Sequence, residues 1–291
     1  MSCYTLVLSN PLFRPSARLV IRANARLFST APSRAQPAGK VPDHESYILL
    51  HTHQPPSQYP PHLKTPLWRK LKLEAGSWGG LVNFSWSPTQ PVHPRYAGLG
   101  EDHAGEELYY ATAFSVDRAP LYIPEVSLAN LDTVVGQLRA HAQSSQLAPE
   151  TEEGQMDEAS EAAARLHLYV CTHGPRDCRC GETGGEVAKA LHNEITKRDL
   201  WDRVSLGEVA HVGGHKFAAN ILVYPLGDWL GSVQPEDVPQ ILSEILARHD
   251  ELSATQTSGS PTAPASPLCP PFWRGRMGLY KDAQIELAAR S

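Results

Sequence analysis

The chain has 291 residues, a formal net charge of -5 and 41% hydrophobic content, enough for one large domain or two ordinary ones. Residues 1 to 40 hold six basic side chains and no Asp or Glu, so residues 41 to 291 carry 20 basic against 31 acidic side chains, a net of -11. An acidic body argues against nucleic acid as a partner, and cysteines at only 3, 171, 178, 180 and 269 are too few and too clustered for a disulfide-stapled secreted protein.

Residues 1 to 40 read as an address. Arg14, Arg18, Arg22 and Arg26 recur every fourth residue, along one side of a helix, with Leu19, Val20 and Ile21 supplying apolar surface between them. Five serines and the lack of acids complete the pattern of a mitochondrial transit peptide, and Arg26-Leu27-Phe28-Ser29 resembles a matrix-protease site. The expected location is the mitochondrion, matrix or intermembrane space. The apolar run from Tyr4 is broken by Ser9, Asn10 and Pro11, unlike a secretory signal, and no run reaches the ~18 apolar residues of a membrane span.

Residues 41 to 143 form a first lobe. Tyr47 to Leu50 and Leu81 to Trp86 are candidate strands, Leu108 to Val116 and Leu121 to Ile123 a candidate hairpin, and Leu131, Val134, Val135 and Leu138 one face of a helix. The stretch from Pro55 to Pro66 is rich in proline and histidine and predicts an extended surface loop. His44, His51, His53 and His62 are dense but lack a metal spacing and cysteine company, so they read as surface histidines. Residues 144 to 164 are acidic and lack aromatics, the composition of a linker.

Residues 165 to 253 form a second lobe. Leu166 to Val170 is a strand leading into the block CTHGPRDCRCG; Val187, Leu191 and Ile195 mark a helix, with Thr183 and Glu186 spaced as a capping box. Val204 to Val209 is a strand leading into HVGGH. Asn220 to Tyr224 and Trp229 to Val233 flank the turn Pro225-Leu226-Gly227-Asp228, and Val238, Ile241, Leu242, Ile245 and Leu246 mark a closing helix. Strand, helix, strand, hairpin, helix is the order of a thioredoxin-like domain, and the first lobe reads as a degenerate copy, giving an α/β protein of two thioredoxin-like lobes. Residues 254 to 291 are a Ser/Thr/Pro/Ala tract and a carboxy-terminal segment, FWRGRMGLYKD, which either docks a redox partner through Arg274 and Arg276 or packs back on the body.

The chemistry-bearing residues are Cys171, Cys180, His211 and His215. Two thiolates and two imidazoles suit zinc, copper or an iron-sulfur cluster rather than magnesium or calcium. Both cysteines sit on one loop after a strand, the second just before a helix, and Gly213-Gly214 between the histidines lets the backbone turn tightly and approach a bulky ligand. These blocks, with HVGGHKFAANILVYPLGDWLG, resemble the thioredoxin-like ferredoxin domain of the sucrase/ferredoxin-like family. The resemblance is strong from Leu166 to about Leu246, extends to the segment from Phe272 to Gly278, and is looser over Ser46 to His141. It implies a 2Fe-2S cluster with one iron on Cys171 and Cys180 and the other on His211 and His215. Imidazole ligation makes reduction easier; Rieske centres lie roughly 250 to 700 mV above plant-type ferredoxins. The resemblance thus implies proton-coupled single-electron transfer to a protein redox partner, in redox or thiol homeostasis.

Four other readings compete. A structural zinc site suits two cysteines and two histidines, although the nine-residue step from Cys171 to Cys180 exceeds the usual zinc-finger spacing. A Rieske centre would use Cys171-Thr172-His173, but no Cys-x-x-His follows, so His173 reads as a loop residue supporting the ligands. A thiol-disulfide oxidoreductase would use Cys178 and Cys180, with Arg176 and Arg179 lowering thiol pKa values. A non-catalytic adaptor would bind a basic partner through the acids between Glu150 and Glu161. Cys178 and Cys269 read as bystanders, and Tyr224 and Trp229 as core aromatics beside the centre. No nucleophile with its base and no nucleotide-binding loop identifies a substrate, which favours an electron carrier over an enzyme.

Overall fold

A computed structural model describes residues 38–96, 98–99, 107–143, 165–257 and 266–290. The predicted transit peptide, apart from its last three residues, and the predicted acidic linker lie outside the described residues.

In the first lobe β1 (Ser46–His51) runs parallel to β2 (Gly80–Trp86), and β3 (Tyr109–Ser115) and β4 (Leu121–Val126) follow as antiparallel neighbours, before α2 (Leu131–Gln143). In the second lobe β5 (Leu166–Cys171) runs parallel to β6 (Val204–Val209), followed by antiparallel β7 (Ile221–Tyr224) and β8 (Asp228–Leu230) and by α4 (Val238–Thr257). Each lobe therefore has strands in the order second, first, third, fourth, with a helix crossing between the parallel pair. That is the thioredoxin-like arrangement, present twice.

β1 and β5 are central in their lobes and buried along their whole length, which explains why they read as continuous apolar runs rather than alternating ones. The crossing helices are α1 (Pro66–Gly76) and α3 (Cys178–Lys197). α1 is not among the helices expected from the sequence. Its signals are local: Thr65 accepts a hydrogen bond from the Trp68 amide at 3.2 Å, Pro66 occupies the first turn, and Leu67, Leu71 and Ala75 are buried at helical spacing. The predicted loop is thus confined to the residues before Thr65.

α3 begins earlier than Thr183 predicts. Asp177 caps it, its carboxylate accepting from the Arg179 amide at 3.1 Å, so the capping-box pair lies inside the helix. An aspartate oxygen satisfies a first-turn amide that would otherwise be unpaired. The glycines inside α3 have low helix propensity, but a methyl group on Gly184 would overlap the Cys171 carbonyl oxygen, and one on Gly181 would meet Gly174 Cα at 2.7 Å. They let the helix lie against the end of β5.

The lobes join through β2 and β6, antiparallel at Ser85 with Val209 and Trp86 with Glu208, giving one sheet in the order β4-β3-β1-β2-β6-β5-β7-β8-β9. The ninth strand, β9 (Trp273–Arg276), adds to β8, and α5 (Lys281–Ala289) follows. The carboxy-terminal segment therefore packs back on the body, and Arg274 and Arg276 are buried, which removes them from any docking face. Arg276 pairs with buried Asp228 at 2.9 Å, and Trp273 Nε1 donates to the same carboxylate at 2.6 Å.

Three apolar cores result. In the first lobe Ile48, Leu50 and Phe84 pack on α1 and α2; in the second Leu168, Val170 and Val223 pack on α3 and α4. The third is shared: Tyr47, Leu49 and Phe114 of the first lobe meet Tyr169, Tyr224 and Trp229 of the second. Phe114 and Tyr224 stack with ring centroids 4.2 Å apart. Alternation along each strand sends odd and even side chains to opposite faces, so Tyr47 and Tyr169 point away from the helices and into the shared core. Cys171 and Cys180 belong to this third core.

Candidate metal centre

Cys171 ends β5, Cys180 lies in the first turn of α3, and His211 follows β6, because parallel β5 and β6 deliver both loops to the same sheet edge. One ligand atom from each of Cys171, Cys180 and His211 lies within 4.8 Å of the others, and Cys180 Sγ is 3.6 Å from His211 Nδ1. The two thiols are buried and His211 is partly exposed. Two soft sulfurs and an imidazole converging in this way form a donor set that fits zinc or an iron-sulfur cluster.

The two thiols are hydrogen-bonded to one another. A hydrogen bond with Cys180 lowers the Cys171 pKa, and the same bond, with burial, raises that of Cys180. Cys171 is thus the better thiolate. A metal that takes both as thiolates must displace the proton left on Cys180, so binding weakens with acid.

His215 stands beside the group. Its ring is 5.6 Å from that of His211, centroid to centroid, with an interplanar angle of 29°, and its Nδ1 faces Asp177 Oδ2 at 3.5 Å. The structure therefore brings three of the four predicted residues together and sets the fourth alongside, turned to the carboxylate that caps α3.

His173, read from the sequence as a loop residue supporting the ligands, is buried against His211. Its Nδ1 accepts from the His211 amide at 3.3 Å, so Nε2 carries the proton and donates to the Pro60 carbonyl at 3.1 Å. Burial, against the raising effect of the Pro60 bond, lowers its pKa to about 4, keeping the ring neutral at neutral pH. His173 thereby ties the His211 backbone to the first lobe, where Tyr59 meets its ring edge-on.

The thiol-exchange pair is not assembled. Cys178 and Cys180 are two residues apart in α3, positions that do not face each other, and accordingly Cys178 is exposed while Cys180 is buried. Arg179 pairs with Asp177 at 2.9 Å and Arg176 with His62 at 2.6 Å, so neither guanidinium is devoted to a thiol. Cys269 packs in the core of the second lobe. His53 and His62 are exposed as expected, but His44 and His51 are buried: His44 Nδ1 donates to the Pro42 carbonyl, and His51 bridges the Pro91 carbonyl and Thr112 Oγ1. The loop carbonyl and the strand hydroxyl satisfy both ring nitrogens of His51, as burial requires, whereas His44 Nε2 is buried without a hydrogen-bond partner.

A thioredoxin-like lobe carrying two buried thiols and a partly exposed imidazole at its strand-end loops is consistent with a redox protein. A family model described as Sucrase/ferredoxin-like matches residues 37–258, and the chain belongs to that family. Altered inheritance of mitochondria protein 32 of Meyerozyma guilliermondii is 38% identical over 78 residues, 26% of this chain and 28% of that protein. Actin patches distal protein 1 of Saccharomyces cerevisiae is 34% identical over 97 residues, 29% of this chain and 31% of that protein. The matches thus span less than a third of these curated relatives. A solved thioredoxin-like 2Fe-2S ferredoxin from Aquifex aeolicus is 23% identical, covers 34% of this chain and 86% of its own, and superposes with a TM-score of 0.24.

Proposed function

We propose that this protein is a mitochondrial electron carrier that holds a 2Fe-2S cluster through Cys171, Cys180, His211 and His215. One observation carries the reading: two buried thiols and the His211 imidazole lie within 4.8 Å of one another, in a chain of a ferredoxin-like family. His215 completes the set by exchanging Asp177 for metal, and Asp177 keeps Arg179 as its partner. When bound, the cluster supplies reversible one-electron storage. The protein's own residues do the rest. Tyr47, Tyr224 and Trp229 exclude water from the sulfur side, His173 fixes the His211 backbone, and the ring nitrogen that each histidine leaves unligated holds the proton that accompanies the electron. No helix among the described residues is long and apolar enough to cross a membrane. Arg176 on the cysteine loop and Lys216 beside His215 are exposed, positive charges on an otherwise acidic chain, which suits an acidic protein as redox partner.

The test is anaerobic purification with iron and sulfide analysis, absorption and electron paramagnetic resonance spectra. Brown protein with two irons is expected for wild type, with loss of the spectrum in Cys171→Ser and an altered one in His215→Cys. The reduction potential falls as pH rises; a value constant between about pH 6 and about pH 9 removes the proton coupling. A colourless protein with stoichiometric zinc overturns the cluster.

A further inference from the structure

Arg274, on β9, is a buried cation whose partners are all uncharged. Nη1 donates to Asn220 Oδ1 at 2.7 Å and to the Gly213 carbonyl at 3.4 Å, and Nη2 to the Lys40 carbonyl at 2.9 Å. The guanidinium lies over the Phe217 and Trp229 rings, 5.3 and 5.8 Å from their centroids. No carboxylate of the described residues forms an ion pair with it, and its Nε has no hydrogen-bond partner. Two positions along the same strand, Arg276 shows the usual solution, a salt bridge to Asp228.

Burying an unpaired charge costs several kcal/mol unless another charge compensates it. The thiol centre adjoins it: Arg274 Nη1 reaches the Gly213 carbonyl in the loop between His211 and His215, and Trp229, beneath the guanidinium, shares one core with Cys171 and Cys180. Burial lowers the Arg274 pKa only to about 10, so it stays protonated at neutral pH. The histidine loop is also built round it, since at Gly214 the backbone has φ +66° and a methyl group would overlap the guanidinium. The bulky group that Gly214 accommodates is therefore this side chain, while a methyl group on Gly213 would meet nothing.

We propose that Arg274 is a built-in counter-charge for the thiolate centre, left without a carboxylate partner so that its positive charge acts on Cys171, Cys180 and what they hold, favouring the reduced state. The inference rests on the metal-centre reading above. Three variants separate charge from packing. Arg274→Gln removes the charge, Arg274→Lys keeps it without the fork, and Asn220→Asp keeps the fork but gives the guanidinium the carboxylate it lacks. In a redox titration of the brown protein followed by visible absorption, Arg274→Gln and Asn220→Asp are expected to lower the reduced-to-oxidised ratio at fixed applied potential about tenfold, equivalent to about 59 mV. Arg274→Lys should stay near wild type.

Should the protein prove colourless, Co(II) added to the metal-free form gives the same answer through its sulfur-to-cobalt absorption. Withdrawing a like charge should tighten Co(II) binding about tenfold in Arg274→Gln and Asn220→Asp, and leave Arg274→Lys unchanged. If Asn220→Asp behaves as wild type, or if Lys is as damaging as Gln, Arg274 is a packing residue and the proposal fails. Because Asn220→Asp retains every atom of the guanidinium, it decides the matter even if Arg274→Gln does not fold.

Discussion

The two lobes share a strand order and differ at the end of their first strand. β1 and β5 are both six residues long and buried throughout, so His51 occupies in the first lobe the place Cys171 occupies in the second. His51 is sealed, with both ring nitrogens hydrogen-bonded to Pro91 and Thr112, whereas Cys171 faces Cys180 and His211. The connection differs as well: α3 starts a few residues after β5, but α1 starts only at Pro66, after a long loop that reaches over to His173. The same scaffold thus yields a centre in one copy and a brace for it in the other. What separates them is loop length and which side chain ends the strand.

The sharpest break of this comparison is at the strand ends. Cys180→Ser should abolish bound metal and any visible absorption, measured by metal analysis. By contrast, His51→Ala should leave metal content intact and cost about 1 to 3 kcal/mol, because it strands two buried hydrogen-bonding groups, read from a urea unfolding curve. Metal loss in His51→Ala would mean that the lobes do not divide the labour in this way.

Acid should expose the first lobe next. Burial is the main cause that lowers the pKa of His44 and His51 to about 4 from an ordinary 6.5. The unfolded chain takes up these protons near the ordinary value and the folded chain does not, so their neutral forms are unpenalised above it. Stability is then lost as pH falls from 6.5 to about 4, by at most about 3 kcal/mol per histidine. Urea midpoints of the metal-free protein should drop over that window, and His51→Gln should flatten the drop; equal midpoints at both ends would contradict it.

The glycines give the smaller contrasts. Gly184→Ala in α3 sets a methyl group against the Cys171 carbonyl and should cost about 1 to 3 kcal/mol, with a lower metal content because β5 and α3 must separate. Gly76→Ala at the end of α1 meets nothing within 4 Å and should raise stability by about 0.4 to 1 kcal/mol. A thermal melt of both variants checks the pair, and equal effects would show that the two crossings are packed alike.

Much of the fold was legible in the residues because its signals are local. Val204 to Val209 is a strand as its apolar run implies, the turn falls at Pro225 to Gly227, one residue shorter than composition puts it because Asp228 already pairs with Val223, and the helix carrying Val134, Val135 and Leu138 has its apolar face inward. α1 was missed since its proline-rich approach masked a short amphipathic helix, and the start of α3 was misplaced because glycine and cysteine weaken the helical pattern just where Asp177 caps it.

By itself the sequence determined the candidate donor set: cysteine and histidine in two spaced blocks, each following a strand, offer sulfur and imidazole rather than oxygen donors. Only the folded chain decided the rest. It set Cys180 towards Cys171 and Cys178 towards solvent, since residues two apart on a helix diverge, and it turned His215 to Asp177. It also carried Arg274 from the far end of the chain to Gly213 and Gly214. Long-range strand pairing makes such contacts, and no local pattern of side chains encodes which distant strand will pair.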